Sequence, residues 1–259
     1  MANIPYCGSP PVPGSATWNF DPVLIAGLLI VPALYFGLAK RSTPLRKGAF
    51  AAGWAVLVLA IVSPLCNLSV ALFSARVTQH MLLTLAAAPL LVLACEPVRH
   101  SVLAKLVPGE TARAVAASFL FALTLWVWHL PAPYAATFQS HIIYWTMHVT
   151  LFLSAVVLWQ AFIGANGLGA PLVAGAITTG QMSLLGAVLT FAREPYFGVH
   201  AGTTWPWGLS PLEDQELGGL IMWIPAGVLL TSYGLAAFAL WMRRLGRDDA
   251  LAGGAGASA

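Results

Sequence analysis

Seven apolar runs, at residues 22–39, 49–66, 72–95, 112–130, 142–163, 171–192 and 217–242, follow one another with short connections between them. A helix needs about 20 mostly apolar residues to cross the hydrocarbon core of a bilayer, so each run is of spanning length. Only 8% of the residues are charged and 59% are hydrophobic, whereas soluble domains carry roughly a quarter charged residues. Water is therefore not the main solvent. The sequence predicts an all-α integral membrane protein, a bundle of seven transmembrane helices over 22–242. Residues 1–21 form an outer tail, and residues 243–259 form a cytoplasmic tail whose Gly, Ala and Ser composition predicts disorder.

The breaks carry the punctuation expected of connections: Pro44 among basic residues, Pro108 with Gly109, Pro131 with Pro133, and Gly164, Gly167 and Gly169. Basic residues set orientation, because cytoplasmic connections retain Lys and Arg. With the amino terminus outside, Lys40, Arg41, Arg46, Lys47, Arg99, Lys105, Arg113, Arg243, Arg244 and Arg247 fall on the cytoplasmic side, against Arg76 and Arg193 outside. A six- or eight-helix count would strand one of these clusters on the wrong face. Because the basic residues sit in short clusters between apolar runs, the net charge of +3 signals topology rather than a nucleic-acid partner. The first 20 residues contain no Lys or Arg, so the first apolar run is expected to stay in the mature chain. Scarce Lys with abundant Ala and Gly points to a bacterial cytoplasmic membrane. Kinks are expected at Pro32, Pro64, Pro89 and Pro225.

This topology sorts the histidines. His80, His129, His141, His148 and His200 fall at the outer side, and only His100 faces the cytoplasm. Neutral imidazole is a common ligand for copper, zinc and iron, so imidazoles at one membrane level raise a metal-site hypothesis. His80 and His148 lie inside their helices and are the stronger candidates, while His141 and His200 are expected nearer water. His141 and His148 share a face with Tyr144 and Trp145, but two turns separate them, so they cannot chelate one ion alone. Arg76 and His80 are four apart on one face, either as a cation keeping the imidazole neutral or as a snorkelling Arg beside a packing His. Asp214, between Glu213 and Glu216, suits a helix amino terminus as well as it suits a ligand role. Met81, Met147 and Met222 read as core filler before soft ligands. Cys7, Cys66 and Cys95 form no CxxC motif and read as free thiols, although Cys7 and Cys66 could meet outside. With all three lysines expected in cytoplasmic connections, no membrane lysine is left to form a retinal Schiff base.

The run Leu72-Phe73-Ser74-Ala75-Arg76-Val77-Thr78-Gln79-His80-Met81-Leu82-Leu83, followed by Pro89-Leu90-Leu91-Val92-Leu93, resembles the signature of the CtaG-type cytochrome c oxidase assembly factors. These are multi-helix bacterial proteins, distinct from the single-span copper chaperone of the same name. Trp128-His129-Leu130-Pro131 with Tyr134, then His148, and Asp214-Gln215 leading into Gly218-Gly219-Leu220-Ile221-Met222-Trp223-Ile224-Pro225, extend the resemblance over most of 72–225. Many relatives carry a second His four residues before the one matched by His80, where this chain has Arg76. The resemblance implies a role in maturing a haem-copper oxidase, by supplying copper to its catalytic subunit from the outer side.

Three functions are then in competition. In the first, which is not enzymatic, His80, His129 and His148 with Asp214 hold Cu(I) and pass it by ligand exchange to the apo-oxidase, with other copper chaperones as further partners. In the second, the same histidines hold Zn²⁺ and Asp214 assists an intramembrane hydrolysis. In the third, the chain is a metal-free scaffold for oxidase biogenesis.

Overall fold

The structure is a computed structural model that describes residues 4–40, 42–95, 107, 109–165, 167 and 169–256. Every regular element among them is helical: α1 (Pro22–Leu38), α2 (Pro44–Val62), α3 (Pro64–Ala71), α4 (Phe73–Met81), a π-helical segment (Leu82–Ala87), α5 (Ala88–Ala94), α6 (Glu110–Trp128), α7 (Pro131–Ala136), α8 (His141–Ile163), α9 (Gly169–Thr190) and α10 (Pro211–Gly256). Two short 3₁₀ turns, Gly198–His200 and Trp205–Trp207, lie in the connection before α10. Arg41, Arg99, His100 and Lys105 lie outside the described residues.

Five helices among the described residues are long and apolar enough to cross a membrane: α2, the continuous α4–π–α5 helix, α6, α8 and α9. The chain is thus a multi-pass membrane protein. α1 is apolar but 17 residues long. α10 runs 46 residues to Gly256, so helix continues through most of the region where composition predicts a disordered tail.

Local chemistry explains the boundaries. Asp21 caps α1 by accepting from Leu24 N at 2.9 Å, and Thr43 and Ser140 do the same for α2 and α8. The apolar run at 49–66 is not one helix. Pro64 has no N–H to donate to the preceding turn, so α2 ends at Val62 and Ser63 caps the short α3 through Leu65 N. Pro131 follows the end of α6 in the same way and opens α7.

The α4–π–α5 helix is central. Its α4 end packs on α10, and its π and α5 end packs on α2, with α5 also on α8. α9 lies between α6 and α10, and α6 lies beside α8. Two glycines let α10 approach closely. A Cβ on Gly219 would stand 2.7 Å from Gly186 O and 2.9 Å from Thr190 N, and one on Gly218 would overlap the Phe73 ring. Small residues at helix contacts are how membrane bundles gain packing when lipid supplies no hydrophobic drive.

Residues 4–21 form a strap across one end of the bundle. Asn19 N donates to Val62 O at 2.8 Å, Thr17 N to Asn67 Oδ1 at 3.1 Å, and Trp207 Nε1 to Pro11 O at 3.1 Å. Cys7 is joined to Cys66 of α3 by a disulfide, which corrects the expectation of free thiols; Cys95 remains free and exposed. The correction has a simple source: the strap folds back on α3 and brings together two cysteines 59 positions apart.

Candidate metal site

Three imidazoles from three helices meet beneath the strap. His80 ends α4, His129 caps the carboxyl end of α6, and His148 lies two turns into α8. The His80 ring is 5.1 Å from His148 and 6.5 Å from His129, centroid to centroid. All three are buried, with exposures of 3, 7 and 3% for His80, His129 and His148.

Their hydrogen bonds differ in a telling way. A backbone carbonyl can only accept, so His129 Nδ1 donates to Leu125 O at 2.7 Å, and His148 Nδ1 stands 3.0 Å from Tyr144 O. His129 is thereby held in the tautomer whose Nε2 carries the lone pair, the arrangement that outer partners impose on metal-binding histidines, whereas His148 meets a second acceptor, Gln79 Oε1, at its Nε2, and its neutral ring donates to only one of the two. His80 has no partner at all: both of its ring nitrogens are buried and unbonded. Leaving a desolvated polar group unpaired costs about 1–3 kcal/mol, so this position is held at the expense of stability.

The backbone around His80 is shaped to present it. The π turn beginning at Leu82 interrupts the ordinary spacing just after it, Thr84 Oγ1 donates to His80 O at 2.7 Å, and Trp159 Nε1 donates to Thr84 O at 2.8 Å. Gln79 Nε2 donates to Ala60 O at 2.8 Å, which turns Gln79 Oε1 towards His148 Nε2 at 3.3 Å. Gln79 Oε1 can only accept, so this contact is made with the His148 proton on Nε2.

A ring whose nitrogen lies about 2 Å from an ion has its centroid about 3 Å from it, so two rings sharing the ion stand roughly 5–6 Å apart. His80 and His148 meet that requirement as they stand, and His129 needs a small inward movement. Among the described residues, no group of three or more His, Cys, Asp or Glu side chains already converges as a metal-holding set. The donor atoms are of a kind that copper and zinc take, and they are not closed into a ligand set.

Asp214 is used elsewhere. Its Oδ2 accepts from Phe73 N at 2.6 Å and its Oδ1 accepts from Ser74 N at 3.2 Å and from the Ser74 hydroxyl. The carboxylate of α10 therefore caps α4, the helix that carries His80, instead of its own helix. Gln215 beside it accepts from Tyr196 N at 2.6 Å and donates to Leu189 O at 3.2 Å, tying the loop before α10 to the end of α9. Arg76 does not snorkel. It is 1% exposed, donates to Thr137 Oγ1 at 2.7 Å and Ser69 O at 3.3 Å, and lies 4.2 Å over the Phe138 ring.

The other histidines divide. His141 Nε2 donates to Ile4 O at 3.0 Å under the strap. His200, expected near water, is instead 2% exposed because the loop before α10 folds inward. Its Nδ1 donates to Ala71 O at 3.2 Å and Tyr134 Oη donates to its Nε2 at 2.7 Å. Burial, with the Arg76 charge adding to it, pushes His200 down to about 3. Ring contacts join the five histidines of this end: Tyr144 and Tyr6 link His148 to His141, and Phe73 and Tyr134 link His129 to His200. Met147 and Met222 are core residues with no exposure, and Met81 is 8% exposed. Sequence reasoning missed Gln79, whose place beside His80 in the QHM triplet was its only signal, and gave Tyr144 no role beyond sharing a helix face with His141 and His148.

The fold and this cluster define a multi-pass membrane protein with a buried, open histidine site at one end. The chain belongs to the cytochrome c oxidase caa3 assembly factor family (Caa3_CtaG), whose model matches residues 33–244 and so covers both the bundle and the cluster. No curated protein and no solved structure matches it.

Proposed function

We propose that His80, His129 and His148 hold Cu(I) transiently and deliver it to the catalytic subunit of a haem-copper oxidase. The supporting observation is His80, whose two ring nitrogens are buried without hydrogen-bond partners beside the rings of His148 and His129. A d¹⁰ ion tolerates two- and three-coordinate sites, so an incompletely closed set suits capture and release. Asp214 drops out of the ligand set because both of its oxygens are engaged. Zn²⁺ hydrolysis loses its acid for the same reason.

The same reading takes seven spans, with α1 and the apolar part of α10 added to the five, the strap end outside and the carboxyl end in the cytoplasm of a bacterial inner membrane. The charge bias supports it, and so does the disulfide at the strap end, since disulfides persist on the oxidising side. Other copper chaperones are then the natural donors.

The test is deletion of the gene, with copper content and activity of the oxidase measured with and without added copper. Copper-poor oxidase rescued by copper is the expected result, and unaltered copper-replete oxidase overturns the proposal. A metal-free scaffold is the second reading, favoured by the lack of a converged ligand set among the described residues; it is upheld if oxidase assembly survives replacement of all three histidines.

A further inference from the structure

The disulfide is not at the rim of the protein. Cys66 has no exposure and Cys7 is 6% exposed. The Tyr144 hydroxyl reaches both sulfurs, at 3.1 Å from Cys7 Sγ and 3.7 Å from Cys66 Sγ. The same tyrosine ring lies 4.2 Å from the His148 ring, and His148 neighbours His80. One side chain thus connects the sulfur pair to the imidazole cluster.

Holding the strap does not require a crosslink at this position. Asn67 Nδ2 donates to Cys7 O at 2.8 Å and to Ser9 O at 2.9 Å, and the bonds of Thr17 and Asn19 fix the segment that follows. These bonds flank the cysteines and keep the two sulfurs adjacent when the S–S bond is cut.

We propose that Cys7 and Cys66 are a two-electron dithiol–disulfide couple that reduces Cu(II) reaching the histidine cluster to Cu(I), with Tyr144 bridging sulfur and imidazole. The inference rests on the copper reading of the cluster. Starting from the dithiol, both S–H bonds break and the two protons leave to water at the strap end. One electron passes to a first Cu(II), and the sulfur pair becomes a disulfide radical anion. That species gives its extra electron to a second Cu(II), which completes the S–S bond. Two Cu(II) have become two Cu(I), and one dithiol has become one disulfide. An external protein dithiol returns the pair to its reduced form by exchange through a mixed disulfide, supplying two electrons and two protons.

The full-length protein in detergent, reduced with dithiothreitol and desalted without oxygen, is mixed with cupric sulfate. The Cu(II) paramagnetic resonance signal and free thiols are followed together. Loss of two Cu(II) signals per chain is expected, with thiols falling from the three cysteines to Cys95 alone. In Tyr144→Phe and in His148→Ala the rate falls about tenfold or more, as expected when a nearby group no longer assists the thiols. Equal rates in wild type and both variants, or a disulfide that resists reduction in the folded protein, overturn the inference. A separate arm adds Cu(I) to the oxidised wild type and to the Cys7→Ser/Cys66→Ser double variant. Binding by both with no Cu(II) reduction by the double variant is expected; absence of Cu(I) binding in both defeats the copper reading itself.

Discussion

Asp214 and Phe73 are 141 positions apart, and the carboxylate of the first accepts the backbone N–H of the second at 2.6 Å. The contact is a helix cap supplied from a different helix. It fixes the first turn of α4, and His80 sits at the other end of the same nine-residue helix. The last helix of the bundle therefore sets where the candidate ligand stands.

Replacing that carboxylate leaves two backbone N–H donors and one hydroxyl donor without their acceptor at a buried position. Asp214→Ala is expected to destabilise the protein by about 2–4 kcal/mol, with Asp214→Asn costing less. Thermal unfolding in detergent measures the difference. A midpoint unchanged in Asp214→Ala would show that the cap carries no weight.

His80 offers a sharper test because its ring is unpaired. His80→Phe fills the same space without buried polar atoms, so it should raise stability by about 1–2 kcal/mol. The same variant should lose the stabilisation that Cu(I) gives the wild type, since a ligand that binds only the folded form raises its unfolding temperature. His80→Ala and His148→Ala should both lower bound copper without unfolding the chain. Retention of wild-type copper in both would remove these residues from the site.

The approach of α10 to α9 leaves no room at Gly219. Gly219→Ala forces the helices apart and should cost about 1–3 kcal/mol, while Gly227→Ala, which meets nothing within 4 Å, should be close to neutral. Equal thermal midpoints for the two variants would contradict this packing.

His200 predicts an acid transition. Its folded form resists protonation down to about 3, whereas an unfolded histidine titrates near 6.5. The unfolded state thus binds the extra proton between these values, and stability falls as pH drops from about 6.5 towards 3, by up to about 1.4 kcal/mol per pH unit for this one group. Above 6.5 the group contributes no slope. His200→Gln should flatten the profile in this window, measured as unfolding midpoint against pH.

Much of this was legible in the chain itself. Apolar runs of spanning length marked the five long helices, and the alternation of basic clusters placed five histidines at one end, where ring contacts do join them. Long-range contacts were not legible. Nothing local tells that Asp214 caps α4 rather than α10, since its surroundings suit either, nor that the strap returns to put Cys7 on Cys66. Arg76 read equally as a cation beside His80 or as a snorkelling residue because its partner Thr137 comes from a turn 61 residues later. The burial of His200 likewise depends on a loop that folds inward onto Tyr134.

The π turn over Leu82–Ala87 divides one membrane crossing into two halves that answer to different neighbours. The wider backbone spacing shifts the register of everything after it by about one residue, a rotation of roughly 100°. The half bearing His80 is seated on α10, while the half beyond is seated on α2 and α8. Removing one residue from the turn would restore a regular helix and swing the imidazole away from its two companions.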